Sequence, residues 1–125
     1  MATGTISAPH GVLLWKNAAP TSSFAAQDVS VNYSGYSALK IFYNLTSSNN
    51  RQLSTEIASL DTGGVLMRCT SDATNVYISS RPFNLSGGTT ISFADCYGAQ
   101  LSSNGGRLFS MQNNTVIPYA IYGTK

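Results

Sequence analysis

Few side chains in this sequence could carry out acid–base or nucleophilic chemistry. His10 is the only histidine, and it follows Pro9 in a segment that we expect to be a loop. The five carboxylates are scattered along the chain at Asp28, Glu56, Asp61, Asp72 and Asp95. No nucleophile motif, phosphate-binding loop or metal-binding motif accompanies them. We therefore expect no catalytic residue, no metal and no cofactor, and we predict that the protein is not an enzyme.

Asp95 is the one acid placed inside an apolar predicted strand, between Ala94 and Cys96. A partly buried carboxylate is unfavourable unless it is paired or hydrogen-bonded. We expect Asp95 to pair with an arginine or to accept hydrogen bonds at a turn. A pair with Glu56 in a glycoside hydrolase is the alternative, since two carboxylates can cleave a glycosidic bond.

Tyrosine is the most suggestive residue type, with seven copies in the chain. Its flat ring and hydroxyl group suit both sugar binding and protein interfaces, although most copies are expected in the core or at its rim. Tyr36 follows a turn glycine and Tyr97 precedes Gly98, so both are predicted at loop tips, where they could bind a ligand. The residues predicted at a subunit interface are Trp15, Pro118, Tyr119 and Tyr122.

Strands must position these residues, and segment 28–45 shows the strand pattern most plainly. Val29, Val31 and Tyr33 alternate with polar residues, which is the period-2 pattern of a half-buried strand. The dipeptide 34–35, Ser-Gly, predicts a turn. The run 38–45 is mostly apolar on both parities, so we predict a central strand that is covered on both faces.

Turn signals divide the rest of the chain into further short strands. The predicted strands are 11–16, 28–33, 38–45, 52–60, 65–70, 73–80, 89–96, 107–111 and 115–122. Phe24 is predicted to anchor the loop 17–27, and Ser71-Asp72 to join a hairpin. Pro118 has no backbone N–H, so its strand should be an edge strand or contain a bulge.

Together these patterns predict a single all-β domain over residues 1–125. About nine short strands are typical of an antiparallel β-sandwich or a jelly roll. Residues 1–9 are small and polar, and we expect them to form a short edge strand or an N-terminal arm.

The charge of the chain is low, with 10% charged residues and a net charge of +2, against about 25% charged residues in an average protein. The seven basic residues form no stripe, so nucleic acid is not an expected partner. No apolar run is long enough to predict membrane insertion. No signal-peptide pattern occurs either, so export through the Sec pathway is not expected.

Cys69 and Cys96 are the two cysteines, and both fall in predicted strands. A cross-strand disulfide would be geometrically possible. Two free, half-buried thiols are the favoured interpretation, because the chain has no secretion signal.

Three stretches of the sequence together resemble a known kind of module. They are Leu13–Val31 followed by Ser34–Tyr36, then Ile91–Gly98, and finally Asn113–Lys125, in which I-P-Y-x-I-Y-G-x-K is the most specific pattern. They resemble a small β-rich module at the C-terminal ends of tail and minor structural proteins of phages that infect Gram-positive, often gut, bacteria. A cysteine often precedes Ile-Pro in that module, whereas this chain has Val116.

The resemblance implies a virion component that is multimeric and displayed outward, and it assigns no binding residues. We expect a bacteriophage structural protein, such as a tail, fibre or head-fibre component that contacts the host surface, made in the bacterial cytoplasm. Its expected partners are further copies of itself, as a trimer, other virion proteins and a host cell-wall glycan. The alternatives are a capsid decoration protein on the head lattice and a carbohydrate-binding module.

Overall fold

The computed structural model describes residues 11–46, 49–57, 60, 62–102 and 104–125. This part of the chain forms ten strands in two antiparallel sheets, so the predicted all-β, sandwich-like fold is confirmed. The predicted arm 1–9 and His10 lie outside the described residues. The strands are β1 Val12–Lys16, β2 Gln27–Ser30, β3 Ala38–Thr46, β4 Asn49–Ile57, β5 Gly63–Ser71, β6 Asn75–Ser86, β7 Thr90–Phe93, β8 Tyr97–Ser102, β9 Arg107–Met111 and β10 Thr115–Thr124.

The first sheet has the strand order β1-β10-β3-β4. β3 lies between β10 and β4, and its Leu39 and Ile41 are fully buried, which confirms the predicted central strand. β10 is also an interior strand, so of the two predicted alternatives around Pro118, an edge strand or a bulge, the bulge is the one that is confirmed. The pairing of β10 with β3 shifts between Pro118 and Ala120, and this bulge accommodates the missing N–H.

The second sheet has the order β2-β7-β6-β8-β9, and β5 pairs with the other edge of β6. β6 is 12 residues long and pairs with two different strands along one edge. Its first half, 75–80, pairs with β8, and its last part, 83–86, pairs with β7. β5 and β6 form the hairpin that was predicted around Ser71-Asp72.

Pro82 lies inside β6, although the sequence predicts that this strand ends at Ser80. The proline falls in the gap between the last β8 partner, Ser80, and the first β7 partner, Phe83. The Pro82 carbonyl accepts a hydrogen bond from Ala94 N at 2.9 Å on that same edge. Since a residue in an antiparallel ladder directs its N–H and C=O to one side, the absent N–H of Pro82 faces the gap and breaks no ladder.

The two strands of segment 28–45 lie in different sheets. β2 pairs with β7 in the second sheet, whereas β3 belongs to the first. The connecting backbone stays attached at both ends, because Tyr33 N donates to Gly88 O at 2.9 Å and Ser37 N donates to Thr124 O at 2.8 Å. Gly35 takes a φ of 85° in the predicted turn. The alternating pattern identified a buried face correctly, but it could not identify the neighbouring strand.

The core lies between the inner faces of the two sheets. Ile41, Ile117 and Ile121 come from the first sheet and are fully buried. Phe83 and Phe93 come from the second, with ring centroids 5.9 Å apart. The loop 17–26 adds Phe24, which is 5% exposed and packs edge-on against Phe93, so the predicted anchor is confirmed.

Candidate functional site

Four strands of the second sheet, β5, β6, β8 and β9, present two chemically different faces. Strand residues alternate between the faces of a sheet. Arg68 and Ser79 share the parity of the fully buried Leu66 and Arg81, so their side of the sheet continues the core-facing side. We call this side the inner face and the opposite side the outer face.

The inner face of these four strands contains a polar cavity of about 450 Å³. Strand pairing places Arg68, Ser79, Gly98 and Ser110 in one row across the four strands. The turn at 112–115 contributes the remaining wall. The polar lining includes Arg68, Tyr77, Ser79, Gln100, Gln112 and Asn114.

Gly98 gives Gln112 its place in the wall of the cavity. A β-carbon at position 98 would collide with the Gln112 side-chain amide. The amide Oε1 accepts a hydrogen bond from Ser79 Oγ at 3.3 Å, and its Nε2 donates to Ser110 Oγ at 3.4 Å. Gln112 is therefore oriented by Ser79 of β6 and Ser110 of β9, and a side chain at position 98 would displace its amide.

Arg68 is the one cation among the described residues that line the cavity. Its side chain is half-buried. Within the described part of the chain, its guanidinium has no hydrogen-bond, ion-pair or ring partner. A guanidinium carries five N–H donors, so Arg68 can donate hydrogen bonds to a ligand in the cavity without giving up a protein partner among the described residues.

Tyr77 presents its ring to the cavity while its hydroxyl is held from outside. The Tyr77 hydroxyl donates to Asp72 Oδ2 at 3.1 Å, and this hydrogen bond raises the pKa of the phenol. Asp72 is itself fixed in the β5–β6 turn, where Oδ1 accepts from the backbone N–H groups of Thr74 and Asn75 at 2.9 and 2.8 Å. These backbone hydrogen bonds lower the pKa of Asp72, so the carboxylate that orients Tyr77 stays charged.

The outer face of the same four strands is apolar and exposed. Met67, Tyr97 and Met111 lie in one row across the strands, with exposed fractions of 48%, 51% and 54%. The described residues on this face are Val65, Met67, Cys69, Ser71, Val76, Ile78, Ser80, Pro82, Tyr97, Ala99, Leu101 and Met111. None of the side chains that the structure describes on this face is charged, and the register assigns positions 107 and 109 of β9 to the same face. An exposed apolar patch of this extent is typical of an interaction surface.

The turn that closes the cavity is held from behind by Arg81. This guanidinium is fully buried, and its Nε donates to Val116 O at 2.8 Å while Nη1 donates to Ala94 O at 2.7 Å. A third hydrogen bond joins Nη2 to Thr115 O at 3.3 Å, and the Phe24 ring lies 5.2 Å away. Desolvation lowers the pKa of Arg81, while the three carbonyls stabilise its charge.

Val116 shows why this turn needs such support. Its φ is 48°, which is unfavourable for a β-branched residue. The Arg81 hydrogen bond to the Val116 carbonyl fixes the peptide in this conformation.

Asp95 also stabilises the turn at 112–115, and it accepts hydrogen bonds there as the sequence predicts. Its Oδ1 accepts hydrogen bonds from Ala26 N and Asn113 Nδ2, both at 2.9 Å, and these lower the pKa of the carboxyl. Arg81 contributes a smaller lowering through its charge. The position of Asp95 differs from the prediction, because β7 ends at Phe93 and Asp95 lies in the connection to β8.

The two predicted ligand-binding tyrosines do not form one site, because Tyr36 lies in the connection between β2 and β3 and Tyr97 lies in β8. Tyr97 is the first residue of β8 rather than a loop tip, and it projects from the outer face. Tyr36 is half-buried against Gly123 in the first sheet, with Lys125 Nζ 5.4 Å from its ring centroid. Neither tyrosine lines the polar cavity.

The four predicted interface residues all belong to the first sheet. Pro118 is fully buried and offers no surface to a second chain. Trp15 is half-buried and packs against Phe24, with ring centroids 6.4 Å apart. The Lys16 ammonium lies over the Tyr119 ring, and Tyr122 packs edge-on against Phe42. The role of Trp15, Tyr119 and Tyr122 at an interface stays a prediction.

The two cysteines are both free thiols in the structure, and they differ in location. Cys69 is exposed on the outer face. Cys96 is buried, with its Sγ 3.3 Å from Thr115 Oγ1. Among the residues the structure describes, no group of three or more histidine, cysteine or carboxylate side chains could hold a metal ion.

Sequence reasoning missed the lining of the cavity. Its residues come from four strands and one turn, so no local motif contains them. Two signals were present: Tyr77 and Ser79 are polar on the strand parity that also carries Phe83 and Leu85, and Gly98 lies within a strand, where glycine often marks a close approach.

Comparison with protein-family models, with curated proteins and with solved structures gives no match for this chain. Over the described ranges, the chain contains no helix that is long and apolar enough to span a membrane.

Proposed function

We propose that this chain is a structural subunit of a bacteriophage virion that assembles with further copies of itself through the outer face. The observation that carries this proposal is the row of Met67, Tyr97 and Met111, about half exposed on a mainly apolar face of four strands. The resemblance of the closing segment 113–125 to phage tail modules supports the virion role. No catalytic step is part of the proposal.

The chemistry of the outer face favours a second copy as its partner. Two identical surfaces that are rich in like charges repel each other, whereas a mainly apolar face can meet its own copy with little repulsion. Methionine and tyrosine are enriched at interfaces, because they adapt to a partner and bury a large area. Burial of the outer face between copies would not cover the polar cavity, because the cavity lies on the opposite side of the same strands.

Light scattering of the purified protein tests this assembly. We expect a mass of several chains, with a trimer as the expected size. Met67→Lys should reduce the mass to that of one chain, because lysine would place an unpaired charge within the apolar contact. Val12→Lys is the matched control, since Val12 is equally exposed, at 51%, but lies on β1 of the first sheet.

The far-ultraviolet circular dichroism of both variants should equal that of the parent protein. A single-chain mass for the parent protein at high concentration would contradict self-assembly. Equal loss of mass in Met67→Lys and Val12→Lys would contradict the assignment of the contact to the outer face.

A further inference from the structure

We propose that the polar cavity on the inner face binds a saccharide that carries a carboxylate group. The cavity volume of about 450 Å³ falls within the range of small-ligand sites, about 300–1,000 Å³. This inference is independent of the proposed assembly, because the outer face and the cavity are on opposite sides of the same strands.

Arg68 indicates the negative charge of the ligand. It is half-buried in the wall of the cavity and has no partner among the described residues. A guanidinium presents two parallel N–H groups, which match the two oxygens of a carboxylate. Among the lining residues that the structure describes, Arg68 is the one cation, so the site suits a ligand with one negative charge better than a polyphosphate.

The other lining residues indicate a ligand rich in hydroxyl groups. Gln100, Gln112 and Asn114 each carry an amide that both donates and accepts, and Ser79 and Ser110 add hydroxyl groups. Sugar hydroxyl groups likewise donate and accept, so this set can satisfy several of them at once.

Tyr77 supplies the apolar contact that a sugar ring needs. Its hydroxyl is bound to Asp72 at 3.1 Å, so the ring is held in one orientation before a ligand arrives. Gln112 is also oriented in advance, by Ser79 and Ser110. A site whose side chains are already fixed loses less entropy on binding.

The test is a titration of the intact protein, followed by NMR of the backbone amides, with glucuronate, galacturonate and N-acetylneuraminate as probes. At least one of them should bind with a Kd of about 1 mM and shift the amides of Arg68, Tyr77 and Gln100. Glucose keeps the ring but has no carboxylate, and acetate keeps only the carboxylate. Both should bind about tenfold more weakly, because each loses one half of the contacts.

Arg68→Gln should remove the preference for the acidic sugar over glucose. Lys16→Gln is the matched control, because it removes the same charge from β1 in the first sheet. Gly98→Ala should also weaken binding, since the added carbon pushes the Gln112 amide out of position. The mass in light scattering should stay unchanged in Arg68→Gln, which separates this test from that of the assembly.

Two results would overturn the inference. One is the absence of amide shifts in the cavity with all three acidic sugars at about ten times the expected Kd. The other is an equal affinity of the parent protein and Arg68→Gln for the acidic sugar that binds best.

Discussion

The two halves of β6 share the same alternation of side chains, but one half contributes to the core and the other lines the polar cavity. In the second half, the inward positions are Arg81, Phe83 and Leu85, which are all buried. In the first half, the inward positions are Tyr77 and Ser79, which line the polar cavity. One continuous strand therefore supplies a core at one end and a candidate binding site at the other, and the difference lies in what covers each half.

The partners of the two halves explain the difference. The inward side of the second half packs into the apolar core shared with the first sheet. The inward side of the first half faces the turn at 112–115, whose side chains are amides and a hydroxyl. The following substitutions break or sharpen this comparison.

The largest expected difference in stability is between substitutions of the two aromatic residues on the inward side of β6. Phe83→Ala should lower the free energy of unfolding by about 4 kcal/mol, because a fully buried ring leaves a cavity behind. Tyr77→Ala should lower it by about 1 kcal/mol or less, since a half-exposed ring has less to lose. Urea unfolding measures both. Equal losses would mean that the first half of β6 is also part of the core.

The next largest difference in stability is expected between substitutions of the two inward-facing arginines of the second sheet. Arg81→Ala should cost about 3 kcal/mol in unfolding free energy, because the carbonyls of Ala94, Thr115 and Val116 lose their buried donor. Arg68→Ala should change stability by about 0.5 kcal/mol or less. A large loss in Arg68→Ala would contradict its assignment as a free ligand-binding side chain.

The smallest effect concerns Asp95, which lies between β7 and β8, where the two halves of β6 change partner. Its folded-state pKa is depressed below the ordinary value of 3.8, first by the Ala26 backbone N–H. Its contribution to stability is therefore present above about pH 4 and is lost as the pH falls through the depressed pKa. Asp95→Asn should flatten the decline of stability in this acid range.

Asp28→Asn is a control for the Asp95 substitution, because Asp28 lies exposed on β2. Acid titration of the melting temperature compares the two variants with the parent protein. An unchanged acid profile in Asp95→Asn would show that its two hydrogen bonds do not distinguish the folded from the unfolded state.

The sequence predicted the fold class, the central strand β3 and the β5–β6 hairpin, because alternation and turn chemistry are local signals. It did not predict that β2 and β3 lie in different sheets, since alternation specifies faces and not neighbours. It also ended β6 too early, because proline usually ends a strand and the gap at Pro82 depends on the pairing of distant strands.

The candidate site was harder to predict than the fold. The tyrosines beside turn glycines were the local signal, and they lie outside the cavity. Arg68 and Gln100 become neighbours of Tyr77 only through strand register, which no single stretch of sequence contains. The interior arginine, Arg81, was equally hidden, because its three acceptors are backbone groups and leave no trace in residue type.

Pro82 has a consequence for how the chain finds one pairing among several. A slip of β6 by two residues would keep every side chain on its own face, so the alternation of the side chains alone would not oppose it. Such a slip would move the proline out of the gap and opposite β7 or β8, where a partner carbonyl would lose its donor. Pro82 therefore destabilises misaligned pairings of β6 during folding. It acts against wrong structures rather than by stabilising the right one.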